Sequence, residues 1–278
     1  MSATRHDWFR IAAAVAVLAL GWQAAAISAE HLGPRAARLA PTWQQIFLVD
    51  LPGFASFADG TTQSDYALAF RVIAENAWAT VLRVAISLVL AFFIGSGLGL
   101  LTMSNPISYG IINPVIRVIR NVPLLALVPL FLIWFGGEEF GVIAFITFGL
   151  STIYLTNTVN AVANVDRTRI AFARMLGAGR LTMVRDVVLP SILPDLLDAT
   201  RVAVGVAFAV GLGGEFLAAQ EGLGRLLIVS QTYVQTGRMV IVLLCYVVLA
   251  GLATHAVGLI GARLTKWLPR SQLVTITT

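Results

Sequence analysis

The stretch Asp166-Arg-Thr-Arg-Ile-Ala-Phe-Ala-Arg-Met-Leu-Gly-Ala-Gly-Arg-Leu-Thr-Met-Val-Arg-Asp-Val-Val-Leu-Pro190 is a polar island between two long apolar runs. Five arginines, Arg167, Arg169, Arg174, Arg180 and Arg185, stand here against two acids, Asp166 and Asp186. Asp166 suits a helix N-cap, because its carboxylate accepts from backbone amides left open in the first turn. Gly177 suits the left-handed residue that closes the helix, since it has no Cβ to clash. Between them Ile170, Ala173 and Leu176 recur every three residues and define an apolar face. A second short helix is predicted from Arg180, with Leu181, Val184 and Val188 as its stripe and Pro190 as its stop. Two short helices joined by a glycine elbow, lodged between membrane spans, form a docking element.

The rest of the chain decides the solvent. Of its 278 residues 58% are hydrophobic and 12% charged, against roughly a quarter charged in soluble domains. That composition predicts an all-α integral membrane protein of about six transmembrane helices. The formal net charge of +5 does not read as nucleic-acid binding. The arginines flank apolar runs rather than forming one basic and aromatic patch, and membrane topology explains them. One cysteine, Cys245, excludes a disulfide framework within the chain. No internal repeat or low-complexity linker divides it.

In chain order, Arg5 and Arg10 precede an apolar run from Ile11 to Ser28. The run is long for a signal-peptide core, so a retained first helix is expected. Residues 29–76 hold Pro34, Pro41, Pro52 and Gly60 among polar residues. Their two aliphatic and aromatic patches, Trp43 to Leu51 and Tyr66 to Phe70, read as short interfacial helices, which either meet an external partner or cover the spans. From Ala67 to Met103 helical periodicity is continuous, and Ala91, Gly95 and Gly99 at four-residue spacing predict close packing on another helix. Asn105-Pro106 ends this span. Pro123 suits a first turn, whereas Pro129 is expected in mid-span, where it frees a backbone carbonyl. Glu138 and Glu139 mark a tight turn before Phe140 to Asn160, whose inner end is polar through Tyr154, Thr156, Asn157 and Asn160.

A fifth span is expected from about Leu196 to Ala219, with Arg201 placed to pair with Asp195 and Asp198. Glu215, behind Gly211, Gly213 and Gly214, is the chain's most conspicuous acid. An ionisable group at membrane depth marks a functional site by default, yet a buried acid also needs donors, which the Gly222–Gly224 turn can supply. The last span, Met239 to Gly261, is closed by Arg263, Lys266 and Arg270. Its His255 is expected to be packed and hydrogen-bonded rather than a proton relay. With six spans, thirteen cations fall on the side of the termini and the Asp166–Pro190 loop. Six fall on the other: Arg35, Arg38, Arg71, Arg83, Arg225 and Arg238. Both termini are therefore expected in the cytoplasm, and Arg83 is expected to snorkel or to face protein. No phosphate-cradling Gly-x4-Gly-Lys loop, nucleophile elbow, His-Glu-x-x-His or Cys-x-x-Cys occurs, so neither a catalytic residue nor a metal site is expected.

The Asp166–Pro190 pattern resembles the cytoplasmic coupling loop of bacterial ABC-importer permeases. The family motif is Glu-Ala-Ala, three residues, Gly, nine residues, Ile, one residue, Leu-Pro. It falls here on Ala171, Phe172, Ala173, Gly177, Val187, Leu189 and Pro190. The second alanine, the glycine and the Leu-Pro pair match, while Ala171 stands where the family has glutamate and Phe172 where it has the first alanine. Pro123-x5-Pro129-x4-Trp134-Phe-Gly, and the run from Gly213-Gly214-Glu215 to Gly222-Leu-Gly224, look like the branch for nitrate, sulfonates and taurine.

The resemblance implies the type I importer permease fold with cytoplasmic coupling helices, in one permease domain over residues 1–278. Residues 1–66 would be the first span and an outer loop, 67–267 the core, and 166–190 the coupling loop. Such a chain is no enzyme and holds no cofactor, because ATP and Mg bind to two partner ABC ATPase subunits. A second permease copy, as a homodimer, a periplasmic or lipid-anchored solute-binding protein and the lipid of the bacterial inner membrane complete the implied partners. The implied cargo is a small anion of the sulfonate, taurine, nitrate or bicarbonate type. The alternatives are an aromatic or vitamin-precursor nutrient and, as a weaker reading, a secondary transporter or intramembrane enzyme, which would leave the loop unexplained. The implied coupling residues are Asp166, Arg169, Ala173, Arg174, Gly177, Arg180, Leu189 and Pro190. The pathway or gate is assigned to Pro129, Tyr154, Asn157, Gly211, Gly214 and Glu215, with Glu215 bracing the outer gate through the Gly222–Gly224 turn.

Overall fold

The computed structural model describes residues 5–59, 65–218 and 220–266. Gly60, Ala219 and Arg270, named above, lie outside them, as does residue 267, the end of the expected core. No strand occurs among the described residues, as expected where lipid offers the backbone no hydrogen-bond partner and helices satisfy it internally. In order, α1 is Arg5–Leu32, α2 Tyr66–Met103, α3 Pro106–Ile119, α4 Val128–Phe135, α5 Glu139–Ala163 and α6 Arg167–Met175. Arg180–Thr182, a π-turn over Met183–Val188 and Leu189–Ala218 run on as α7. The last two are α8, Leu223–Thr232, and α9, Thr236–Leu264. Among the described residues five helices are long and apolar enough to cross a membrane, and the pair Ile107–Ile119 and Leu124–Phe135, bent by 91°, makes a sixth if taken as one broken span.

The chain divides into two compact units, Met1–Trp78 with Glu221–Cys245, and Ala79–Gln220 with Tyr246–Thr278. In the first, α1 is fastened by two tryptophans. The Trp22 indole donates to the Pro41 carbonyl (3.0 Å), the Trp43 indole to Ala19 (3.0 Å), and the two rings lie 6.3 Å apart. Tyr66 opens α2 rather than a separate interfacial helix, and its hydroxyl donates to the Phe47 carbonyl at 3.2 Å. Arg238 stacks over Phe54 and Phe57, its guanidinium carbon 5.7 and 5.8 Å from the ring centres.

In the second unit the small-residue stripe does what its spacing predicts. A Cβ added at Gly99 would sit 2.6 Å from the Cβ of Thr158, and one at Gly95 would sit 2.7 Å from that of Tyr154. Side-chain-free positions thus let α2 and α5 approach until their backbones nearly touch. The prolines depart from expectation. Pro129 lies in the first turn of α4, behind a 3-10 turn over Leu124–Leu127. Its missing N–H is one of the donors a helix start leaves open anyway, so no mid-span carbonyl is freed. Pro190 does not stop a helix either. In the π-turn before it the Leu189 N–H bonds to the Val184 carbonyl, five residues back. That widened turn makes room for the pyrrolidine ring and lets α7 run through both Pro190 and Pro194.

Candidate functional site

The Asp166–Pro190 segment is the helix–glycine–helix hairpin its sequence predicts. Asp166 Oδ1 accepts the Thr168 N–H at 2.8 Å, and that backbone donor holds the Asp166 carboxyl below the usual aspartate range. At the other end Gly177 has φ +80°. Its N–H bonds to the Arg174 carbonyl (3.0 Å) and that of Ala178 to the Ala173 carbonyl (3.0 Å), the paired closure of a Schellman motif. Ala173 and Arg174 therefore contribute through backbone oxygens as well as by position. Ile170 and Met183 pack inward on Val165, Val188 and Ile192.

Leu176, expected beside Ile170, faces outward instead, because it is the C-cap and already off the helical stripe. With it Phe172, Met175 and Leu181 stand exposed at the tip, Leu181 by 81%. All five arginines of the stretch are exposed around them. The exposed part of the hairpin thus combines apolar side chains with guanidinium groups.

The polar end of α5 opens onto two adjoining clefts. One, of about 400 Å³, is lined by Asn157, Asn160 and Asn164 with Asp195 and Asp198. The other, of about 430 Å³, is lined by Arg120, Thr152, Thr156 and again Asn157. Arg201 pairs with Asp198 at 2.7 Å, as its i,i+3 spacing predicts. Tyr154 does not open onto these clefts: it is fully buried, its hydroxyl donating to Thr200 Oγ1 at 3.2 Å. Gly211 and Gly214 meet Ile146, Val142 and Phe145 of α5, and Pro129 is exposed. Of the proposed pathway residues, Asn157 alone lines a cleft named here.

Glu215 sits in a buried ion network. The Arg83 guanidinium donates through Nη1 to Glu215 Oε1, and through Nη2 and Nε (2.6 Å) to the two oxygens of Glu139. Glu215 Oε2 also accepts from Thr80 (2.9 Å) and Tyr246 (2.8 Å). Arg83 therefore faces protein, one of the two positions expected for it. Sequence reasoning missed the network, although an arginine inside an apolar run demands a partner at its own depth. Thr80 and Tyr246 gave no such signal. His255 is exposed.

Span-length helices with a capped hairpin between two of them define the fold of a membrane permease. The chain belongs to the family of binding-protein-dependent transport system inner membrane components, whose profile matches residues 87–272. It is 28% identical to the taurine transport system permease protein TauC of Escherichia coli, over 82% of this chain and 79% of that one. It is 32% identical to an E. coli permease protein named for aliphatic sulfonate transport, SsuC, over 57% of this chain and 60% of that one. A chain of the inward-facing MetNI methionine ABC transporter shares its fold, with TM-score 0.60 and 21% identity over 71% of this chain and 96% of that one. The expected type I importer permease architecture stands.

Proposed function

We propose that this chain carries a small anionic solute, of the sulfonate, taurine, nitrate or bicarbonate type, across the bacterial inner membrane. The solute is delivered by a binding protein, and the work is done by two ATPase subunits on a permease homodimer. ATP and Mg belong to those subunits. The carrying observation is the hairpin: its apolar tip, the guanidinium ring around it and the Gly177 closure build a rigid knob at the joint of α5 and α7. Displacing that knob moves two spans at once, which is how a remote hydrolysis step biases a membrane bundle between two states. Arginines on the hairpin, both termini and the end of α9 support a cytoplasmic location for that side, where ATP is. The likeness to taurine and sulfonate permeases supports the cargo class.

Reversing Arg169 and Arg174 to glutamate tests the docking surface. Co-purification of the ATPase should fall, and fall most at low salt, because added salt screens exposed charges within about 10 Å at 0.1 M. Unchanged recovery at every ionic strength refutes the docking role. Uptake of an aromatic nutrient, with no competition from taurine or aliphatic sulfonates, refutes the cargo class.

A further inference from the structure

The two helices that leave the ends of the hairpin both finish on Arg83. α5 meets the hairpin at Ala163 and begins at Glu139, roughly 37 Å away at 1.5 Å per residue. α7 leaves the hairpin at Arg180 and carries Glu215 near its far end. Arg83 of α2 binds both carboxylates and clasps the two far ends together. Between hairpin and clasp the pair is packed side by side, with Tyr154 on Thr200 and Val142 and Phe145 over Gly214. A displacement at the hairpin therefore reaches the clasp through two stiff rods.

The two links are not equivalent. The Glu215 side chain is 1% exposed and also takes the Thr80 and Tyr246 hydroxyls. The Glu139 side chain is 59% exposed and opens α5, next to a turn that contains Gly136 at φ +76°. Charge separates them further. With both carboxylates ionised the clasp holds one positive and two negative charges. Releasing Glu139 leaves a neutral buried pair and returns a carboxylate to water, whereas releasing Glu215 would strand a buried charge.

We propose that Arg83–Glu139 is the separable half of this clasp. Glu139 leaves Arg83 and returns as the hairpin drives α5 and α7, while Arg83–Glu215 stays closed. Both are positioning residues, and the inference rests on the ATPase-driven reading above.

The test uses the permease purified with its ATPase, hydrolysing ATP with neither solute nor binding protein present. Glu139→Gln weakens the link and should raise this unstimulated rate roughly two- to fivefold, the population shift a half-exposed pair can impose. Complex yield and melting temperature should stay close to wild type. Glu139→Asp, which keeps the charge, should move the rate back towards wild type. A wild-type rate in Glu139→Gln overturns the proposal. So does a fall in melting temperature as large as that of Glu215→Ala, which would make the link a structural pair. A wild-type permease that never purifies with an ATPase overturns the functional reading and this inference with it.

Discussion

Replacing Glu215 tests the clasp from its buried side. Glu215→Ala removes the shared acceptor of the Thr80 and Tyr246 hydroxyls and one of the two carboxylates on Arg83, and opens a void in a site that is 1% exposed. Losing a charged acceptor for two hydroxyl bonds, at about 1.5–3 kcal/mol each, reaches about 4 kcal/mol before the void and the charge are added. Breaking a buried ion pair from one side gives a similar figure of about 3–5 kcal/mol. Glu215→Gln keeps the shape and one acceptor oxygen, so about 1–2 kcal/mol is expected, the loss of charge assistance on one bond. At roughly 2–4 °C per kcal/mol the alanine variant should melt about 10 °C below wild type in detergent, and the glutamine variant only a few degrees below.

A cycle with Tyr246→Phe sharpens the measurement. Losing that hydroxyl should destabilise the wild type by about 1 kcal/mol more than the Glu215→Ala variant, where the bond to the carboxylate is already gone and only the contact with Thr80 remains. Thermal unfolding of the four proteins, followed by intrinsic fluorescence, supplies all the values. Equal, small shifts for Glu215→Ala and Glu215→Gln, or full additivity with Tyr246→Phe, would refute the network.

Gly177→Val places a β-branched residue at φ +80° with nothing within 4 Å of the new Cβ, so the damage is backbone strain alone, about 1–2 kcal/mol. Membrane insertion should be normal and ATPase recovery reduced; full recovery in a pull-down would show that the elbow does not set the docking surface. Gly99→Val drives a side chain into Thr158 and should destabilise by about 1–3 kcal/mol, while Gly97→Ala, with open space around it, should melt like wild type. Similar melting of the two would refute α2–α5 close packing. Burial raises the Asp50 carboxyl above the ordinary aspartate value, with Arg238 opposing. The folded state then holds the proton more tightly, so stability from this group is greatest at low pH and falls as pH rises through the raised value. Asp50→Asn should flatten the fall in melting temperature of the chain as pH rises above the ordinary aspartate value; an unchanged slope would show that another group is responsible.

Local chemistry was legible in the chain wherever it decides local structure. Asp166 and Gly177 bound α6 because a carboxylate cap and a left-handed closure act over four residues. Ala91, Gly95 and Gly99 announced a close helix contact because spacing alone sets a face. The prolines were misread because their effect depends on what precedes them. A π-turn ahead of Pro190 absorbs the ring, and a 3-10 turn ahead of Pro129 makes it a helix start. Neither turn has a residue signature of its own. Leu176 failed for a related reason: periodicity was extended one residue past the point where the helix closes.

The ion network shows where reading by segments stops. Arg83 lies 56 residues from Glu139 and 132 from Glu215, and hydropathy gives each span a length but not a neighbour. Depth still narrows the choice, because an ion in lipid must find its counter-ion at its own level. Family membership does not supply the answer either. The matched segment begins at residue 87, so Glu139, Glu215 and Tyr246 fall inside it while Thr80 and Arg83 fall outside. The profile thus covers the whole hairpin but only part of the clasp, although the likeness to the taurine permease protein, over 82% of this chain, spans Thr80 and Arg83 as well. On the proposed reading the hairpin carries force into α5 and α7, and Arg83 is the residue that holds both far ends.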